Sequence, residues 1–118
     1  MDMNKCPCSG KTLGKLLQPA IMTILSKEAM HGYRITRALA DMAMFCGQTP
    51  DATGVYRMLK TMESRGLVKS DWDLSDTGPA RRRFQLTKDG EICLGQWIKT
   101  LQNYKLSIEE LLSTAMGL

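Results

Sequence analysis

Three successive arginines, Arg81, Arg82 and Arg83, follow a Gly78-Pro79 turn, and upstream of them Tyr56, Arg57 and Lys60 recur at the spacing of one helix face. The chemistry open to such residues is recognition of phosphate and of hydrogen-bonding base edges. Guanidinium and ammonium groups neutralise phosphates and release their counterions, and Tyr, Arg and Lys side chains can also meet base edges. Thr53, near the start of the same run, places a hydroxyl where a helix N-terminus favours a phosphate. Taken singly, such features are more often solvated surface. Arg57 or Lys60 could pair with Glu63, and Arg82 could anchor to Asp71 or Asp73 across a hairpin. It is the succession of two basic features that points to nucleic acid.

Other reactive residues give weaker signals. His31 is the only histidine, and no carboxylate and nucleophile accompany it, so acid–base catalysis is not expected. Capping and packing at the start of a helix is the favoured role for His31. Cys6 and Cys8 flank Pro7. Two thiolates one residue apart can ligate a soft metal or oxidise, with Cys46, Cys93 or His31 completing a site. Structural zinc more often has two residues between its cysteines, and the competing reading is an N-terminal arm whose cysteines matter little. No other cofactor is implied.

The 118 residues, 43% hydrophobic, suit one compact domain whose core is small enough to favour a partner subunit. Net charge is only +4, so its distribution is the informative part: residues 79–88 are strongly basic and the last thirty slightly acidic. That division suits nucleic acid at the former and protein contact at the latter. No run approaches the ~18 apolar residues of a membrane span, and Cys-Pro-Cys-Ser-Gly stands where a signal peptide would be apolar. A cytoplasmic protein with no membrane partner is expected. The four cysteines are not a secreted disulfide framework.

Residues 1–15 read as an N-terminal arm or loosely attached turn. A first helix begins near Gln18, or earlier with a break at Pro19, and carries Leu17, Ile21, Ile24 and Leu25 on one face. A second, from His31 to Phe45, buries Ile35, Ala38, Leu39 and Met42 while Arg34, Arg37 and Asp41 face away. A third buries Val55, Met58, Leu59 and Met62 and ends at Gly66. Two strands then form a hairpin around a polar tip, Ser75 to Pro79. Val68, Trp72 and Leu74 share one face, Phe84 and Leu86 share theirs with Arg82, and Arg81, Arg83 and Gln85 point the other way. Thr87 is a candidate N-cap for a final helix, with Asp89 in its first turn. From there Leu94, Trp97, Leu101, Tyr104, Ile108, Leu111 and Ala115 alternate spacings of three and four, a heptad seam too long for one small domain to cover. This predicts a homodimer, the alternative being a helix folded back on its own domain.

This order gives a mainly α, α+β fold: a winged helix-turn-helix domain at 16–87, with a two-stranded β-wing, followed by a long C-terminal dimerisation helix at 88–118. In that arrangement the third helix enters the major groove and the wing reaches the flanking backbone. Tyr56, Arg57 and Lys60 would then meet base edges, Arg81 and Arg83 the backbone, with Arg82 structural.

The run His31-Gly32-Tyr33, then Gly54-Val55-Tyr56-Arg57-Met58-Leu59-Lys60, Glu63, Arg65-Gly66-Leu67-Val68, Trp72, Gly78-Pro79-Ala80-Arg81-Arg82 and Leu86-Thr87 with Gly90 resembles the PadR family of transcriptional regulators, over about two thirds of the chain. Many members have Ser-Pro-Gly before the Tyr of the third helix, where this chain has Thr49-Pro50-Asp51-Ala52-Thr53-Gly54. That departure bears on Thr53. The resemblance implies a dimeric repressor on a double-stranded DNA operator, of the branch with a single C-terminal helix, released by a small-molecule or stress inducer. It also implies a ligand role for Trp97, since multidrug-binding members use a Trp on the corresponding helix. The competing role for Trp97 is an ordinary seam residue. The reading of a different class is a metal- or thiol-redox-handling protein, or an interaction module, whose winged helix does not bind DNA.

Overall fold

The structure, a computed structural model, describes residues 8, 10–45, 51–74 and 78–117. In chain order its elements are α1 (Leu17–Leu25), β1 (Met30–His31), α2 (Gly32–Ala40), α3 (Ala52–Ser64), β2 (Val68–Asp73), β3 (Arg81–Leu86) and α4 (Lys88–Ala115). Short 3-10 helices at Lys11–Leu16 and Ala43–Phe45 precede α1 and follow α2. Pro19 lies in the first turn of α1, where its missing N–H breaks no helical bond. None of the helices among the described residues is long and apolar enough to cross a membrane.

The core is the meeting of four helical stripes with one sheet face. Ile21, Met22 and Leu25 from α1, Ile35 and Leu39 from α2, and Val55, Leu59 and Met62 from α3 pack against Met30, Val68, Phe84 and Leu86. Helix α1 is the hub, touching α2, α3, β3 and α4, so it buries Pro19, Ala20 and Met22 as well as Ile21 and Leu25 of the expected stripe, whose Leu17 and Ile24 are half-buried. Leu94 and Trp97 of α4 close the core from the other side.

Two expectations are corrected. The sheet has three strands, in the order β1-β3-β2, because Met30 and His31 pair antiparallel with Phe84 and Arg83. Met30 and His31 therefore belong to the wing's sheet rather than to a connection or a helix. Helix α2 also stops at Ala40 instead of continuing to Phe45, with the Asp41 N–H bonded to the Arg37 and Leu39 carbonyls. Past the break Met44 and Phe45 pack, partly buried, against the core edge.

The joints follow the sequence signals. Gly66 takes φ +77° after α3, and the Leu67 N–H reaches back to the Met62 carbonyl at 2.9 Å, closing the helix end. Thr87 caps α4: its hydroxyl accepts from the Gly90 N–H at 3.0 Å and donates to the Gly66 carbonyl at 2.7 Å. Its own N–H donates to the Leu67 carbonyl at 3.1 Å. One residue thereby pins the wing's exit, the end of α3 and the start of α4. Gly90 is buried there, and a Cβ on it would collide with the Leu67 carbonyl.

Candidate nucleic-acid interface

The exposed face of α3 carries Thr53, Tyr56, Arg57, Lys60 and Ser64. Tyr56 is placed by α2: a Cβ on Gly32 would lie 2.6 Å from its ring Cζ and hydroxyl, so the tyrosine rests on bare backbone at the start of that helix. From this position Tyr56 lines an open cleft with His31, Gly32, Tyr33, Ala80, Arg81 and Arg82. Helix and wing therefore converge on one surface, with Tyr56 and Arg81 on its two sides. Arg57 and Lys60 are exposed further along α3 and do not line that cleft.

Parity along β3 separates the three arginines. Cross-strand pairs put Arg82 opposite Trp72, Arg83 opposite Asp71 and Arg81 opposite Asp73. Arg82 lies 5.6 Å over the Trp72 ring and 3.6 Å from Glu63 Oε1, and the other Glu63 oxygen accepts from the Ser70 hydroxyl. It is a brace between wing and α3. The partner is Glu63 and not Asp71 or Asp73, because those aspartates project from the opposite sheet face. Glu63 is likewise committed to Arg82 and Ser70 rather than to Arg57 or Lys60.

Arg83 lines a separate hollow with Ala29, Asp71, Trp72, Asp73 and Gln85. Each of Arg81 and Arg83 thus stands across from an aspartate, so the net positive charge of the wing is smaller than three arginines suggest. His31 Nε2 sits 3.0 Å from Asp73 Oδ2. The expected capping role of His31 is corrected accordingly: it occupies the N-cap position of α2 without a side-chain cap bond and ties that helix to the wing.

At the start of α3, Asp51 is the N-cap, accepting from the Thr53 N–H at 3.2 Å. A carboxylate therefore stands where an open helix N-terminus would attract phosphate. Thr53 itself is exposed, and its remaining donor is the hydroxyl.

A second tyrosine went unassigned in the sequence. Tyr33, 59% exposed, lies beside Tyr56, and its hydroxyl accepts from Arg37 Nη1 at 3.1 Å while the guanidinium sits 5.8 Å from its ring centroid. That hydrogen bond holds the Arg37 guanidinium above its ordinary pKa. The Tyr–x–x–x–Arg spacing in the second helix is the signal that could have found the pair.

The model of the transcriptional regulator PadR-like family matches residues 21–96, from α1 into the first turns of α4. The chain belongs to the PadR-like family. Solved structures agree in fold. A transcriptional regulator of Thermoplasma acidophilum is 29% identical, with a TM-score of 0.75, covering 87% of this chain and 96% of that one. A PadR family regulator from Clostridium difficile is 24% identical with a TM-score of 0.72, covering 82% and 98%. Bacillus subtilis PadR, solved in complex with operator DNA, is 23% identical with a TM-score of 0.63, over 70% of this chain and 45% of that one. Among functionally curated sequences there is no match. A PadR-like chain is a winged-helix, DNA-binding transcriptional regulator, and in this one the cleft between α3 and the wing brings together Tyr33, Tyr56, Arg81 and Arg82.

In this PadR-like regulator the α4 seam divides in two. Leu94, Trp97 and Leu101 are half-buried, whereas Tyr104, Ile108 and Leu111 are 48%, 61% and 69% exposed. Cys6 and Cys46 lie outside the described residues, Cys8 is exposed, and Cys93 is half-buried on α4. Among the described residues no three His, Cys, Asp or Glu side chains cluster as metal ligands do.

Proposed function

We propose that the chain acts in the cytoplasm as a homodimeric repressor, bound to an operator through α3 and the wing and released by a small-molecule or stress signal. The observation that carries the dimer is the seam of α4. The helix is 28 residues, about 42 Å at ~1.5 Å per residue, and its second half keeps a strict heptad pattern while residues 102–117 stay exposed among the described residues. Pairing with a second copy would cover Tyr104, Ile108 and Leu111 at roughly 25 cal/mol per Å² of apolar surface removed from water.

On the DNA, Tyr56, Arg57 and Lys60 would address base edges and neighbouring phosphates from α3, with Thr53 offering a hydroxyl near its start. Arg81 and Arg83 would draw the backbone toward the wing. Bacillus subtilis PadR, on operator DNA, shares this fold, which supports the same mode here. Signal entry is assigned to Trp97, half-buried in the covered part of the seam between Leu94 and Leu101. A planar ligand stacking there would change how the two α4 helices cross, and with it the spacing of the two α3 helices.

The test is an electrophoretic shift of the chain's own upstream DNA by the purified protein, with and without planar aromatic compounds. The reading expects a complex that dissolves on adding an effective compound, together with tryptophan quenching that disappears in Trp97→Ala. Trp72 is 62% exposed on the wing, so the quenching is read in a Trp72→Phe background. A shift that no compound relieves would remove the inducer, and no shift at all would remove the repressor.

A further inference from the structure

The side of α2 turned toward α3 contains a cation that the wing-and-helix description does not use. Of the two exposed arginines on α2, Arg34 reaches back to Glu28, 3.2 Å away, in the connection before β1. Arg37 has no such commitment: among the described residues the basic side chains within reach of a carboxylate are His31 with Asp73, Arg34 with Glu28 and Arg82 with Glu63. Among the described residues its side chain hydrogen-bonds the Tyr33 hydroxyl alone. A guanidinium has five N–H donors in a planar fork, so most remain for an anion.

The surroundings give that fork a direction. Tyr33, Thr36, Arg37, Ala40, Asp41, Ala52 and Tyr56 line a hollow between α2 and the first turn of α3. Tyr33 and Tyr56 also line the cleft that ends at Arg81. One continuous surface therefore runs from Arg81 on the wing, across the two tyrosines, to Arg37. In a helix-turn-helix the first helix crosses the sugar–phosphate backbone while the second enters the groove, so a cation at this place meets phosphate before base. Asp41 lowers the local potential, but it is not within ion-pair distance of Arg37.

We propose that Arg37, held against the Tyr33 ring and hydroxyl, binds a backbone phosphate of the operator on the side of α3 opposite the wing. The inference rests on the DNA-binding reading and adds a contact to it. Tyr33 positions the guanidinium, and Arg34, spent on Glu28, contributes nothing.

The test is fluorescence anisotropy of two labelled duplexes, the upstream DNA and an unrelated one of equal length, titrated from 50 to 200 mM KCl. Each neutralised phosphate contributes about 0.9 to the slope of log K against log salt. Arg37→Ala should flatten the slope by about that amount on both duplexes, so that its deficit against the native protein shrinks about 3.5-fold across this salt range. Arg37→Lys should restore the slope, Arg34→Ala should leave it native, and Tyr33→Phe should weaken binding with the slope intact. An unchanged slope in Arg37→Ala, or equal losses in Arg34→Ala and Arg37→Ala, would overturn the proposal while the native protein still binds. Native binding at Tyr33→Phe would overturn the positioning role. Failure of the native protein to bind either duplex overturns the DNA-binding reading, and this proposal with it.

Discussion

Replacing Gly32 by alanine separates stability from recognition. The new methyl would lie 2.6 Å from the Tyr56 Cζ and hydroxyl, against an optimal carbon–carbon separation of about 3.5–4.0 Å, so the ring must retreat by roughly 1 Å. Tyr56 is 46% exposed, so it can swing into solvent without disturbing the core. Gly32 is the first residue of α2, so alanine there gains at most the roughly 0.5–1 kcal/mol by which it is favoured over glycine in a helix interior. That gain offsets the lost contact, and the melting temperature should stay within about 5 °C of the native value. DNA binding should not escape. Losing one hydrogen bond and its alignment costs about 0.5–1.5 kcal/mol, and with 1.4 kcal/mol per factor of ten the affinity should fall several-fold, up to tenfold. Anisotropy titrations at one salt concentration, beside a thermal melt, read both quantities, with Tyr56→Phe marking the hydroxyl's share. Native affinity in Gly32→Ala would refute the argument that bare backbone at Gly32 sets Tyr56 for contact. A collapse in stability would refute the claim that the ring can yield.

Further outcomes follow from the packing. Gly90→Ala drives a methyl into the Leu67 carbonyl and within 2.7 Å of Leu86 Cδ1; because backbone must move, a loss of about 2 kcal/mol or more is expected by denaturant unfolding. Arg82→Met keeps the side chain's apolar stem and removes its ion pair with Glu63, both partners being partly solvated; unfolding should cost at most about 1 kcal/mol, and the salt slope of DNA binding should change far less than in Arg81→Ala. Ile108→Glu, at a position 61% exposed in the single chain, should give a monomer in sedimentation whose thermal unfolding retains the winged-helix signal; a stable dimer would move the interface elsewhere.

Long-period features were legible because they are local and repetitive. The long helix α4, the third helix ending at Gly66 and the Thr87 cap each rest on spacings within one element. The parity of β3 likewise separated Arg82 from Arg81 and Arg83. Strand β1 was not legible, since two residues carry no alternation and the pairing of Met30 with Phe84 joins positions far apart in the chain. The choice of Glu63 by Arg82 needs the packing of α3 behind the wing, and His31 with Asp73 spans 42 residues. Similarly, Leu74 was placed on the strand face with Trp72, but β2 ends at Asp73 and Leu74 is 79% exposed. Tyr33 and Arg37 were visible as types, yet only the approach of α2 to α3 puts them beside Tyr56.

The central claim, a two-fold regulator reading DNA through α3 and the wing, is met most directly by a hydroxyl-radical footprint of the purified protein on its upstream DNA. Two protected half-sites are expected, with centres about 10–10.5 base pairs or a multiple of that apart, both lost in Ile108→Glu at concentrations where the native protein protects fully. A single protected half-site that survives in Ile108→Glu, or no protected site at all, would contradict it.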